Sequence, residues 1–148
     1  MATSFDSIID VALVTMNDYK LDRLYEDDKE SFKEILSGYI VSGTPMFQNC
    51  LKPLTYDLVM REFDADLDMY EINILASLTI ISWYEGELQN VLVYNEPLRD
   101  VDFNKYSTGQ NIRPRQDYIA QLRSDVKMDI NNYQLMHLGE LPYWKDIN

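Results

Sequence analysis

The stretch Glu71-Ile72-Asn73-Ile74-Leu75-Ala76-Ser77-Leu78-Thr79-Ile80-Ile81-Ser82-Trp83-Tyr84 decides the fold class. Its apolar residues fall on nearly every side of a helix, whereas a surface helix shows a single stripe. A helix of this kind has to be enclosed, either by other elements of its own chain or by neighbouring subunits. At its start, Asp66 or Asp68 is placed to cap it, with Glu71 at the third helical position as in a capping box. Downstream the helix is expected to reach about Val93, with the stop supplied by Tyr94-Asn95-Glu96-Pro97.

Two helices are expected upstream. Phe5, Ile8, Ile9, Ala12, Leu13 and Met16 share one face of the first, with Thr3 or Ser4 as N-cap and Asp6 favourable in the first turn. Asn17-Asp18-Tyr19-Lys20 breaks that period, and Leu21, Leu24 and Tyr25 make a small apolar patch. The acidic run Glu26-Asp27-Asp28 then reads as the cap of a second helix, from Asp28 to about Ser42, carrying Phe32, Ile35, Leu36, Tyr39 and Ile40 at helical spacing. Gly43-Thr44-Pro45 ends or kinks it. Met46, Phe47, Cys50 and Leu51 resume the spacing in a short third segment closed by Pro53. The run Leu54-Thr55-Tyr56-Asp57-Leu58-Val59-Met60 fits a helical turn and a short extended piece equally well.

Beyond the central helix, Asp100 to Tyr106 reads as a connector with two aromatic plugs, and Ser107 as the cap of a last long helix. Ile112, Tyr118, Ile119, Leu122, Val126, Ile130, Tyr133 and Leu135 keep its period, and Pro114 is expected to limit how early it starts. Gly139 is a natural C-cap. The expected architecture is therefore all-α: a small helical bundle with a long central buried helix, a long C-terminal helix and a short extended tail. Residues 1–140 form the helical domain and residues 141–148 a short apolar tail, in which Tyr143 and Trp144 fit docking on another chain and folding back equally well.

Composition narrows the function classes. At 148 residues with 46% hydrophobic side chains, the chain is long enough to bury a core without staples. Twenty-five acids against thirteen bases give a net charge of −12, which repels a phosphate backbone and argues against nucleic-acid binding. The charge is uneven. Residues 1–71 hold fifteen acids and six bases (net −9), and residues 72–148 hold ten and seven (net −3). A single cysteine, Cys50, permits no internal disulfide and fits a reducing compartment. The amino terminus lacks a positive n-region, so a signal peptide is not expected, and no apolar run has the length of a membrane span.

No pattern of catalytic residues emerges. His137 is the only histidine, which removes paired-imidazole metal sites and leaves a nucleophilic triad with one candidate base. Cys50 lies on an apolar stripe with Phe47 and Leu51, where a small buried thiol is the ordinary state. Asp64-Ala65-Asp66-Leu67-Asp68 matches the first ligand positions of a calcium loop. It places Met69 where the glycine belongs and Leu75 where a bidentate Glu is needed. The five glycines are scattered singly, so there is no phosphate-cradling loop. The chain is accordingly expected to be no enzyme and to hold no cofactor or metal.

The order of these elements resembles a known family. The helix carrying Phe5-Asp6-Ser7-Ile8-Ile9-Asp10, then Asn17-Asp18-Tyr19-Lys20-Leu21, Phe63-Asp64-Ala65-Asp66-Leu67, Glu71-Ile72-Asn73-Ile74-Leu75-Ala76 with Trp83, Asp102-Phe103 and Tyr106-Ser107 is similar to the small neck proteins of tailed bacteriophages, the head–tail connector or adaptor proteins. Pro45 and Pro114 interrupt stretches that would otherwise be continuous helix. The resemblance implies a helical virion subunit, made in the host bacterial cytoplasm, that forms a ring with copies of itself, usually a dodecamer. That ring sits beneath the portal protein, meets a tail-terminator or other neck protein, and extends the channel through which DNA passes without specific binding. It also implies that the tail reaches the portal or a neighbouring chain through Leu141, Tyr143, Trp144 and Ile147. Two other functions fit parts of the sequence. An acidic DNA mimic that blocks a host DNA-binding enzyme fits the charge, and a tail-completion protein fits the virion setting but is expected to be richer in strands.

Overall fold

The computed structural model describes residues 2–16, 25–95 and 104–140, and within these only the backbone of residues 90–112 and 140. Four α-helices dominate: α1 (Phe5–Thr15), α2 (Lys29–Gly43), α3 (Met69–Asn95) and α4 (Asn104–Met136). The fold is the all-α bundle expected from the sequence, with the long α3 inside and the long α4 at its C-terminal side. The docking tail, residues 141–148, lies outside the described residues.

Helices α1, α2 and α3 begin where a short polar side chain takes free N–H groups. Ser4 caps α1 by accepting from Asp6 N, and Asp28 caps α2 by accepting from Glu30 N and Ser31 N. The Ser31 hydroxyl and backbone hold the Asp28 carboxyl below its usual range. At α3, Asp68 Oδ1 accepts from Glu71 N at 2.8 Å, so of the two candidate caps Asp68 is the one used.

Of the fourteen residues from 71 to 84, only Asn73 is exposed. The chain itself encloses this helix, since α1, α2 and α4 all pack on α3. Phe5, Ile8, Phe32, Leu36, Ile40, Ile74, Leu75, Leu78 and Ile81 form the centre of a single core. The α2–α3 crossing is close at Gly43, where an added Cβ would lie 3.1–3.2 Å from Leu78. Neighbouring subunits are therefore not required to cover α3, and its excess of apolar faces is not evidence for them.

Four expectations need correction. Residues 46–51 do not form a third α-helix. A 3-10 turn over Thr44–Met46 carries Pro45 at its start, and turns follow in which Asn49 takes a left-handed φ of 58°. Ser107 does not cap the last helix, and Pro114 does not delay it. The helix starts at Asn104 and carries Pro114 in its interior, forfeiting one backbone bond of a 33-residue helix. Gly139 lies in a 3-10 turn, Leu138–Glu140, one turn past the end of α4 rather than at its C-cap.

The ambiguous run 54–60 resolves as a short extended piece, Tyr56–Asp57, followed by a turn at residues 58–60. Strands β1 (Thr3–Ser4), β2 (Tyr56–Asp57) and β3 (Glu62–Phe63) form a small antiparallel sheet in the order β1-β3-β2. Thr3 pairs with Phe63, and Tyr56 pairs with Phe63 from the other side. Buried Thr3 is a second tie, because its hydroxyl donates to Ala65 O at 2.9 Å and accepts from Leu67 N at 2.8 Å.

Candidate functional site

Two places combine unusual chemistry with a defined frame. The first is a polar cluster inside the core. Glu71, 1% exposed, accepts through Oε1 from Tyr133 Oη at 3.3 Å and pairs with Lys52 Nζ at 3.3 Å. Lys52 also donates to Asp66 O at 2.6 Å, and Leu51 N donates to Tyr133 Oη at 3.1 Å. The second carboxylate oxygen, Oε2, is buried without a hydrogen-bond partner. Burial raises the Glu71 pKa, the Asp68 carboxylate raises it further, and Lys52 opposes both. Burial likewise pushes the Tyr133 phenol well above its ordinary value, so it stays a donor at any physiological pH.

Aromatic rings fix the cluster in place. Tyr133 stacks on Tyr70 at 6.0 Å and meets Phe47 edge-on at 5.3 Å and His137 at 4.9 Å. Cys50 Sγ lies 3.9 Å from Tyr133 Oη, and burial raises its pKa, which keeps the thiol protonated and a poor nucleophile. Cys50 and His137 thus both border Tyr133. The arrangement ties the start of α3, the 50–52 loop and the end of α4 together, which makes it a structural latch. Among the described residues, no group of three or more His, Cys, Asp or Glu is placed to hold a metal ion.

The second place is the tip of the β2–β3 hairpin, which sequence periodicity did not reveal because its residues follow no helical or strand alternation. Asp57 Oδ1 accepts from Val59 N at 2.8 Å and from Met60 N at 3.2 Å, and Arg61 takes a left-handed φ of 53°. This turn presents Leu58, Val59 and Met60 outward, at 56%, 90% and 65% exposure. The base of the hairpin is anchored. Phe5 N donates to Arg61 O at 2.8 Å, Arg61 pairs with Glu30 on α2 at 3.4 Å, and Phe63 packs against Phe5 at 4.9 Å.

Helix α4 carries the complementary feature. Ile119, Val126, Ile130 and Tyr133 form its buried stripe, while Met128 and Leu135, two turns apart on the opposite side, are exposed. On its flank a groove of about 480 Å³ opens between α4 and the turn after α2, with exposed Met46 and the buried Leu78, Val126 and Ile130 as its apolar floor and Gln48, Asn49, Arg123, Lys127, Asn131 and Gln134 as its polar walls. Arg123 is bonded to Glu85 on α3. A separate recess between α3 and α4 is lined by Trp83, Tyr84, Glu87, Arg115 and Tyr118.

The four tail residues expected to make contacts, Leu141, Tyr143, Trp144 and Ile147, lie outside the described residues. No described helix is long and apolar enough to cross a membrane. No protein family matches the sequence, and no curated protein or solved structure matches it either.

Proposed function

We propose that this chain is a structural ring subunit, a head–tail connector of a tailed-bacteriophage neck, seated beneath the portal and extending the DNA channel toward the tail. One observation carries the reading. The helical body closes its own core and still leaves apolar side chains exposed on two unlike elements, the hairpin tip and the outer face of α4. Unlike surfaces on one chain make head-to-tail contacts, and such contacts generate a ring when the rotation closes. Exposed apolar groups concentrated in this way mark contact surfaces rather than ordinary solvent-facing positions.

The charge fits the same role. A net charge of −12 lets duplex DNA pass without adhering, because no excess of cations is available to replace its counterions. Channel-facing positions rich in Lys and Arg in an assembled ring would refute that part. The tail serves as a docking segment in this reading, with Leu141, Tyr143, Trp144 and Ile147 against a neighbouring chain or the portal. Removing residues 141–148 is expected to abolish portal binding.

The deciding experiment is mass by light scattering with negative-stain imaging, in the presence and absence of the cognate portal protein. Rings formed on the portal support the reading, and a persistent monomer with the portal present overturns it. The net charge also suits an acidic DNA mimic. That alternative gives the apolar hairpin tip no role, and competition by the monomer for a DNA-binding enzyme would distinguish it.

A further inference from the structure

We infer that the hairpin tip of one copy seats in the α4-side groove of the next copy, with Leu58, Val59 and Met60 against exposed Met46 and over the floor formed by Val126 and Ile130. The inference rests on the self-association reading above and names its contact. Three observations carry it.

The first is position. The tip is tied to the first turn of α2 through Arg61 and Glu30, whereas the groove begins at Met46, just past the other end of α2. A helix of 15 residues places these ends about 20 Å apart. The tip therefore does not reach its own groove, and satisfying both surfaces takes a second copy joined head to tail.

The second is charge. The segment 52–68 around the tip carries Asp57, Glu62, Asp64, Asp66 and Asp68 against Lys52 and Arg61, and Arg61 is already paired with Glu30. Residues 113–136 of α4 reverse the chain's balance, with four bases (Arg113, Arg115, Arg123, Lys127) against three acids (Asp117, Asp125, Asp129). Lys127, at the groove, has no carboxylate partner among the described residues. Arg123 is bonded to Glu85, which leaves Lys127 as the cation at the groove; an acidic-flanked apolar tip and a groove with an apolar floor and Lys127 at its edge are complementary, which favours this pairing over tip against tip.

The third is rigidity. The tip is held by the Asp57 turn and by strand pairing to β1, so little ordering is needed on docking. Because the backbone carrying the three apolar side chains is already held, burying them costs little further ordering.

The test uses the full chain with Cys50→Ser, so that the introduced thiols are the only ones present. A Val59→Cys chain and a Lys127→Cys chain are mixed at millimolar concentration with a short bismaleimide. The expected product is a cross-linked pair in the mixture and none from either chain alone. Adding Leu58→Asp to the Val59→Cys chain is expected to remove the product. By sedimentation, Val59→Asp alone should weaken self-association by roughly tenfold or more while leaving the helical circular dichroism unchanged.

A product from the Val59→Cys chain alone would mean tip against tip and overturn the inference. So would no product at all, or a product with Arg115→Cys in place of Lys127→Cys, which would move the contact to the α3–α4 recess. The two readings separate cleanly. Portal-bound rings that still form with Val59→Asp sink the contact and leave the connector. The mixed cross-link without rings on the portal sinks the connector and leaves the contact.

Discussion

Helices α3 and α4 are both long and both carry apolar residues at helical spacing, but they occupy opposite environments. The first half of α3 is covered on nearly every side by its own chain, to the point that Glu71 is buried with one carboxylate oxygen unpaired. Helix α4 buries a single stripe and turns Met128 and Leu135 outward. The difference lies in what each helix does for the fold. Helix α3 is the surface on which α1, α2 and α4 assemble, while α4 is a layer added to one side with most of its surface left for other contacts. Core substitutions in α3 should therefore cost far more stability than substitutions on the outer face of α4.

The largest contrast is expected at Leu75. It is 1% exposed at the centre of the core, and Leu75→Ala removes three heavy atoms from a site walled by neighbouring helices. A loss of about 2–5 kcal/mol of unfolding free energy is expected by denaturant titration, at an unchanged m-value. A loss below 1 kcal/mol would show that the helices around α3 collapse easily and that its enclosure is loose.

A buried polar tie between the two helices is the Tyr133 hydroxyl, which donates to Glu71 and accepts from Leu51 N. Tyr133→Phe keeps the ring and its stacking on Tyr70 but leaves the half-buried Leu51 N–H without its acceptor and Glu71 Oε1 with Lys52 as its remaining partner. The expected loss is about 1–3 kcal/mol. Hydrogen exchange should rise first in the last turns of α4, because this bond is what holds that end to the 50–52 loop and the start of α3.

Much of this arrangement was legible in the sequence, and the parts that were not share a cause. The enclosure of α3 follows from Ile74, Leu75, Leu78, Ile80 and Ile81 occupying more than one face, and the caps at Asp28 and Asp68 follow from local hydrogen-bonding chemistry. The hairpin did not show because strands of two residues carry no alternation. They exist through pairing with Thr3 and Ser4, about sixty positions away. The Glu71 latch was hidden for the same reason, since its partner Tyr133 lies 62 residues further on. Pro114 misled because a local rule about helix breaking was applied to a helix long enough to absorb one lost bond. Of the candidate contact residues, the tail four came from the resemblance, whereas Leu58, Val59 and Met60 needed the tertiary frame.

A smaller effect, of opposite sign, is expected at Glu71 itself. Glu71→Gln retains an oxygen to accept from Tyr133 and supplies an N–H that the neighbouring Asp68 carboxylate can accept. It also removes a buried charge. Because burial raises the folded-state pKa of Glu71 above its ordinary 4.5, the folded protein binds that proton more tightly than the unfolded chain does. The charged form therefore costs stability above the folded pKa, and this cost fades as pH falls toward 4.5. The substitution is expected to stabilise the protein at pH 7, with the advantage over wild type shrinking through that interval and vanishing below it. Paired urea titrations at several pH values read this directly. A Glu71→Gln protein less stable than wild type at pH 7 would mean that the Lys52 ion pair outweighs the burial cost.

The smallest expected effect is the most informative about assembly. Met128 is 61% exposed on the side of α4 opposite its buried stripe, and Leu135 lies on the same line. Met128→Gln and Leu135→Gln keep helix propensity nearly constant, so each should shift the stability of the isolated chain by no more than about 0.5 kcal/mol. A loss above about 1 kcal/mol would mean that another part of the same chain covers this face, because a side chain already facing water has little burial to lose. If stability stays level while portal-bound assembly weakens, the outer face of α4 is an interface. The contrast with α3 would then be functional: one helix spends its apolar residues on folding, and the other holds them for partners.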